Sequence, residues 1–259
     1  MPLLLWILLF TLLGGALSAL AASLFLTASE SLRARVLPHL VSFATGALLG
    51  AALLGLLPHA IAGAGIQNTH RIGMTLLAGL LVFFVLEKLV LWRHCHQEVC
   101  EGHLPHDEHR DAASASLILI GDGFHNVLDG VLIAAAFMTD VHLGIVTALA
   151  VTAHEIPQEV GDLAILLQGG MSRARAFALN LFTSVTSVIG GVGAYFALAQ
   201  IQHLLPYALA IAASSFLYVA VADLIPGLHR RVDVASGIKQ FVFIVFGVAV
   251  IYVSHGMAH

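Results

Sequence analysis

Two short stretches of the chain combine imidazole, carboxylate and amide side chains at helical spacing. The first is Gly121-Asp122-Gly123-Phe124-His125-Asn126-Val127-Leu128-Asp129-Gly130; the second is His154-Glu155-Ile156-Pro157-Gln158-Glu159-Val160-Gly161-Asp162. At about 100° per residue, Asp122, His125, Asn126 and Asp129 fall within an arc of roughly 100°. His154, Glu155, Gln158, Glu159 and Asp162 fill roughly 140° by the same count. Seven of these nine side chains are ionisable, and neither stretch contains a Lys or Arg. Such an excess of carboxylate calls for a divalent cation. Mixed histidine and carboxylate donors suit Zn²⁺, Fe²⁺ or Mn²⁺ better than Mg²⁺ or Ca²⁺. A hydrogen-bonded polar core and a proton relay through the same groups are the alternatives.

The elements that carry these residues are set by composition. Of 259 residues, 59% are hydrophobic and only 10% charged, and the mean hydropathy is +0.95. That charge content is well under half the ~25% of a soluble domain, which excludes an ordinary water-soluble globule. Eleven basic against fifteen acidic residues give a formal charge of −4, the wrong sign for a nucleic-acid partner. Two cysteines, five positions apart, cannot staple a secreted scaffold.

Apolar runs of membrane length lie at 3–26, 38–61, 72–92, 114–138, 143–168, 174–199, 205–227 and 236–256, which predicts an all-α polytopic protein with eight spans. The whole chain, 1–259, reads as one membrane domain in contact with the lipid bilayer. Nine of the eleven basic residues sit in the odd-numbered connections: Arg33, Arg35, Arg93, Arg110, Arg173, Arg175, Arg230, Arg231 and Lys239. The positive-inside rule therefore puts those connections in the cytoplasm and both termini outside. No positive segment precedes the first run, which reads as a span and not as a cleaved leader.

Several satellites add detail. Pro157 has no N–H to donate, so the carbonyl of Ala153 loses its helical partner and a bend is expected there. Residues 94–113 form the one sizeable soluble connection. Its portion 94–109 holds five histidines, two cysteines and four carboxylates at irregular spacing. This composition suits loose, exchangeable metal binding in a cytoplasmic loop better than a closed structural zinc site. His59 after Pro58 and Asp223 before Pro226 are candidates for the two ends of a pathway. Leu56-Leu57-Pro58 and Leu224-Ile225-Pro226 fall on opposite faces, hinting that spans one to three and six to eight are inverted around a central pair.

The pattern His-Asn-x-x-Asp-Gly in span four followed by His-Glu-x-Pro-x-Glu in span five resembles the paired signatures of the ZIP (Zrt/Irt-like protein) metal transporters. Leu56-Leu57-Pro58-His59-Ala60 and Phe216-Leu217-Tyr218-Val219-Ala220 also look like that family. The resemblance implies a 3+2+3 bundle, a homodimer, an elevator-like motion and two adjacent metal ions. It places His125, Asp129, His154 and Gln158 around the main ion. Asn126, Asp129 and Glu155 would surround the second, with Asp129 as the bridge. Glu159 belongs to the motif and is carried as a further metal residue; Asp162 stands one turn from Gln158. Asp122 is expected to orient His125. The chain departs from the pattern at Gln158, where relatives with the longer signature have His, and in span six, which offers Thr183, Ser184 and Ser187 in place of a carboxylate.

The expected function is transport of a divalent first-row ion, with zinc taken up into the cytoplasm and Fe²⁺, Mn²⁺ or Cd²⁺ as other possible substrates. The expected location is a bacterial inner membrane. Lys88 and Lys239 are the only lysines and neither follows a phosphate-binding glycine pattern, which argues against ATP hydrolysis. A competing reading is an intramembrane zinc metallohydrolase. His154-Glu155-Ile156-Pro157-Gln158 is one residue short of His-Glu-x-x-His, and His125 would replace the missing ligand. A metal sensor acting through the His-rich loop is a third.

Overall fold

A computed structural model describes residues 2–94, 108–168, 170–229 and 233–256. Lipid offers no hydrogen bonds, so the backbone must satisfy itself within each segment. Among the described residues it does so in eight long helices: α1 (Leu3–Thr27), α2 (Glu30–Ala64), α3 (Thr69–His94), α4 (Glu108–Thr139), α5 (Val141–Gln168), α6 (Arg173–Gln200), α7 (Gln202–Leu228) and α8 (Val234–Gly256). Their starts are chemically marked. Ser29 and Ser172 accept hydrogen bonds from the backbone N–H of Leu32 and Arg175. The Asp140 carboxylate accepts from Leu143 N at 2.9 Å, so one residue suffices to end α4 and begin α5. Gly65 and Gly170, both at φ +81°, make the left-handed turns before α3 and α6.

Seven of these helices are long and apolar enough to cross a membrane, which defines an all-helical polytopic membrane protein. The expected fifth span, 143–168, coincides with α5, a 28-residue helix whose own His154, Glu155, Gln158, Glu159 and Asp162 lower its hydropathy. The residues that make the chemistry are thus the ones that hide the helix from a hydropathy criterion.

α5 continues through Pro157 as α-helix. Departures from α geometry fall at the other two Leu/Ile-Pro sites. A six-residue π segment, Ala51–Leu56, ends just before Leu57-Pro58 in α2, and a second, Val219–Leu224, ends just before Ile225-Pro226 in α7. Proline lacks the N–H and its ring presses on the carbonyl four residues back, here Leu54 and Ala222; a wider turn relieves that clash.

The packing contacts have a symmetric pattern. α1 packs on α6, α2 on α7 and α4 on α5; α3 lies on α7 as α8 lies on α2, and α1 lies on α5 as α6 lies on α4. Exchanging one with six, two with seven, three with eight and four with five reproduces this set. Close approach is achieved with glycine. A Cβ on Gly130 would strike the Ser187 carbonyl and one on Gly190 the Val127 carbonyl, so α4 and α6 touch backbone to backbone. Gly46 against Ile244 and Gly247 against Phe43 do the same for α2 and α8.

Two apolar clusters bracket the middle of α4 and α5. The larger includes Leu48, Ile133, Phe137, Leu143, Leu209 and Phe216; the smaller includes Ala22, Val160, Leu163, Leu166 and Ala176. Between them lies a polar layer. Gly190→Ala should lower stability by about 1–3 kcal/mol through overpacking against Val127. Gly193→Ala, where an added Cβ meets nothing within 4 Å, should stay within about 0.5 kcal/mol of the parent. Thermal unfolding of the detergent-purified variants separates the two.

Candidate metal centre

The polar layer is built from two helical faces pressed together. Asp122, His125, Asn126 and Asp129 come from α4, and His154, Glu155, Gln158, Glu159 and Asp162 from α5. His125 Nε2 lies 3.2 Å from His154 Nε2, 3.7 Å from Asp129 Oδ2 and 3.4 Å from Glu155 Oε1. His154 Nε2 lies 3.4 Å from Asp129 Oδ2 and 3.4 Å from Glu155 Oε1. Four corners about 2.1 Å from a common centre, the bond length of zinc to nitrogen or oxygen, form a tetrahedron with edges of about 3.4 Å. The five separations cluster around that edge length.

The donors face inward for reasons visible in the packing. A carbonyl only accepts, so the 3.2 Å contact between His154 Nδ1 and Ala150 O makes Nδ1 the donor and leaves the Nε2 lone pair toward the centre. Asp129, His154 and Glu155 are 1–2% exposed. Asp129 Oδ2 and both Glu155 oxygens have no hydrogen-bond partner. The His125 side chain is the open wall, 23% exposed. Buried acceptors without donors are costly, and a dication at the centre would satisfy them together.

Around this core the expected assignments shift. Glu155, expected at a second ion, brings an oxygen within 4.8 Å of donor atoms of the two histidines and Asp129. Gln158, expected at the main ion, is half-buried one turn along α5. Asn126 is buried, but its Nδ2 donates to Asp122 Oδ1 at 2.9 Å and to the Asp122 carbonyl at 3.2 Å. Asp122 therefore accepts from Asn126, where it was expected to orient His125. It also belongs to a second group, Asp122, Glu155 and Glu159, whose oxygens lie within 4.8 Å of one another. The residue common to both groups is Glu155, where Asp129 was expected. A wheel projection gives the face of a helix and not the relative rotation of two helices, so it could not assign these corners.

Glu159 is fully buried and held by α6. Ser184 Oγ donates to its Oε1 at 2.6 Å, and Asn180 Nδ2 donates to its Oε2. Sequence reasoning missed Asn180; the available signal was an amide one turn before the Thr183, Ser184 and Ser187 hydroxyls of the same span. Asp162 is half-buried and Asp223 exposed. His59 donates from Nδ1 to Gly55 O at 2.9 Å and lines a separate cavity of about 270 Å³ with Met138, Gln202 and Pro206. Of the His-rich segment 94–113, residues 95–107 lie outside the described residues.

A bundle of lipid-length helices enclosing a four-donor polar centre defines a membrane protein that handles metal ions. The profile of the family described as ZIP zinc transporter matches residues 2–255, and the chain belongs to that family. Zinc transporter ZIP13 of Pongo abelii is 31% identical over 83% of this chain and 65% of its own length. Zinc transporter zipt-7.1 of Caenorhabditis briggsae is 29% identical over 89% of this chain and 74% of its own. Zinc transporter foi of Drosophila melanogaster is 41% identical over 52% of this chain and 19% of its own. The chain thus spans about two thirds of the ZIP13 relative. These relatives are animal proteins and lend no support to the expected bacterial membrane. The family is one of transporters and not of enzymes, which leaves the hydrolase reading disfavoured.

Removing a donor from Glu159 strands a buried carboxylate oxygen. Asn180→Ala and Ser184→Ala should each cost about 1–3 kcal/mol. Denaturant or thermal unfolding in detergent checks this, and variants as stable as the parent would mean that Glu159 does not depend on α6.

Proposed function

We propose that this chain carries Zn²⁺ across a membrane and into the cytoplasm, binding it at His125, Asp129, His154 and Glu155. The single observation that carries the reading is the set of donor separations near 3.4 Å among those four side chains. Zinc suits a tetrahedral set of two imidazoles and two carboxylates. Fe²⁺, Mn²⁺ and Cd²⁺ are secondary substrates of the same centre. Gln158, Asn126 and Glu159 support it from one turn away, and a second ion is carried by the neighbouring carboxylates.

The proposed membrane arrangement has eight spans, with α5 as the fifth, and both termini outside. The distribution of Arg and Lys supports the orientation, and the symmetric helix contacts support a 3+2+3 bundle. Glycine-mediated backbone contact joins α4 to α6 and α2 to α8. That grouping fits an elevator-like motion in which the helices carrying zinc move as one body. A homodimer in the membrane is part of the same proposal, as is a plasma-membrane location, bacterial if the host is a bacterium.

In mechanism, the ion sheds water at the His125 side and replaces it with Nε2 and carboxylate oxygens. The metal gradient, a negative interior or proton exchange supplies the drive. Donors must be deprotonated to hold metal, so protons on the receiving side favour release. The hydrolase reading needs an open coordination position for water and Glu155 free as general base. Here Glu155 holds a corner, which argues against it.

Purified protein in sealed liposomes containing a zinc-sensitive dye should show saturable Zn²⁺ entry. His154→Ala should abolish it, and acidifying the donor side should slow it in the parent. Absence of flux in the parent, or peptide cleavage lost with His154→Ala, would overturn the transport reading.

A further inference from the structure

At the end of the bundle that the arginine distribution puts outside, a cavity of about 270 Å³ opens where α2 ends, α4 ends and α7 begins. His59 lines it from α2, Met138 and Thr139 from α4, and Gln202 from α7. Met138 stands well beyond Asp129 in sequence, about 13 Å along α4 at 1.5 Å per residue. Leu209 belongs both to the cavity wall and to the larger apolar cluster. Apolar packing therefore separates the cavity from the metal centre.

The lining has the donor chemistry of a second, weaker metal site. His59 Nδ1 donates to the Gly55 carbonyl at 2.9 Å, so Nε2 carries the ring lone pair. Ligating histidines are held in this way, with the other ring nitrogen donating to a carbonyl. His154 at the centre has the same arrangement with Ala150. Imidazole and thioether groups suit Zn²⁺ better than Mg²⁺ or Ca²⁺. Among the described residues no Asp, Glu, Lys or Arg lines the cavity. A neutral donor set attracts a dication less than a centre to which Asp129 and Glu155 bring charge.

The walls belong to helices that the proposed motion separates. α2 and α7 approach closely here, where an added Cβ on Gly63 would stand 3.1 Å from Pro206 Cγ. Met138 and Thr139 end α4, whose backbone is interlocked with that of α6. An ion held by His59 on one side and Met138 on the other is bound only while these helix ends stand as they do here. A ligand that favours one arrangement shifts the population toward it.

We propose that this cavity is an outer zinc site, anchored by His59 with Met138 and Gln202, whose filling at high external Zn²⁺ clamps α4 to α2 and α7 and slows transport. The inference rests on the transport reading, because it needs α4 to move against α2 and α7. It makes His59 a brake on the cycle, where the sequence suggested an end of the pathway.

Two measurements on the full chain test the clamp. In detergent, histidine modification by diethyl pyrocarbonate is mapped by peptide mass spectrometry over a Zn²⁺ titration. His125 should be protected first and His59 only at higher Zn²⁺. Met138→Leu, a swap that conserves side-chain volume, should raise the Zn²⁺ needed to protect His59 by about tenfold. Its unchanged protection of His125 reports that the variant is folded. In liposomes, Zn²⁺ entry in the parent should rise and then decline by about fivefold or more as external Zn²⁺ reaches the range that protects His59. His59→Ala should match the parent at low Zn²⁺ and show no decline. Unprotected His59, protection unmoved by Met138→Leu, or a decline that survives in His59→Ala overturns the inference. So does a His59→Ala variant that needs more Zn²⁺ for half-maximal entry, which marks a residue on the route. Parent entry that saturates without decline removes this inference and leaves the transport reading standing. No entry at any Zn²⁺ removes the transport reading and the clamp with it.

Discussion

Carboxylates in a lipid environment need compensation. Each charge at the centre of a membrane helix costs about 2.5–3.5 kcal/mol on insertion scales. α4 and α5 bring Asp122, Asp129, Glu155, Glu159 and Asp162 into one layer with no Lys or Arg on either stretch. The rest of the molecule can be understood as the enclosure this deficit requires. Apolar clusters close the layer from both ends, α6 reaches in with Ser184 and Asn180 to hold Glu159, and α1 covers the outer side of α5 and α6. His125 keeps a partly open flank, as do half-buried Gln158 and Asp162.

Without a hydrophobic force between helices in lipid, close packing must come from small residues. Here that packing is unevenly distributed, and the unevenness has mechanical meaning. α4 and α6 interlock through Gly130 and Gly190, and Ser187 Oγ donates to the Thr11 carbonyl at 3.1 Å to tie in α1. α2 and α8 interlock through Gly46 and Gly247. Where α2 meets α5, by contrast, Gly55 would touch only the flexible end of Leu143. Backbone contacts therefore join α4 to α6 and α2 to α8, and a side-chain contact stands at Gly55 where α2 meets α5. The π segments of α2 and α7 sit in the helices that face α4 and α5, where a wider turn lets backbone adjust without breaking.

Much of this was legible in the sequence because hydropathy and the 100° step report on faces. The eight apolar runs match the eight long helices to within a few residues at most ends; the larger offsets are at the starts of α2 and α4. The polar faces of α4 and α5 were found from spacing alone. What spacing could not supply was the rotation of one helix against the other, which brings Glu155 Oε1 to 3.4 Å from both histidines. Nor could it show Asn126 turned to Asp122, since a side-chain amide chooses its partner only when both are in place. Asn180 was invisible for a related reason: its role depends on Glu159, 21 positions earlier. Pro157, Pro58 and Pro226 carry the same local signal, yet only the last two are preceded by π turns.

A zinc site with four protein donors is ordinarily a structural one, built to keep its metal. The proposed centre differs in how it is supported. Tight sites hold each ligand with outer hydrogen bonds that fix its orientation and raise its basicity. Here the Ala150 carbonyl holds His154, while Asp129 Oδ2 and Glu155 Oε1 face only the two histidine Nε2 atoms and Glu155 Oε2 has no hydrogen-bond partner. Side chains held so sparsely can swing away when a competing proton or a helix shift favours it. In the proposed centre the close donor spacing would favour the ion, and sparse outer bonds would let it leave. A transporter needs both, because an ion bound too well is an ion that does not move.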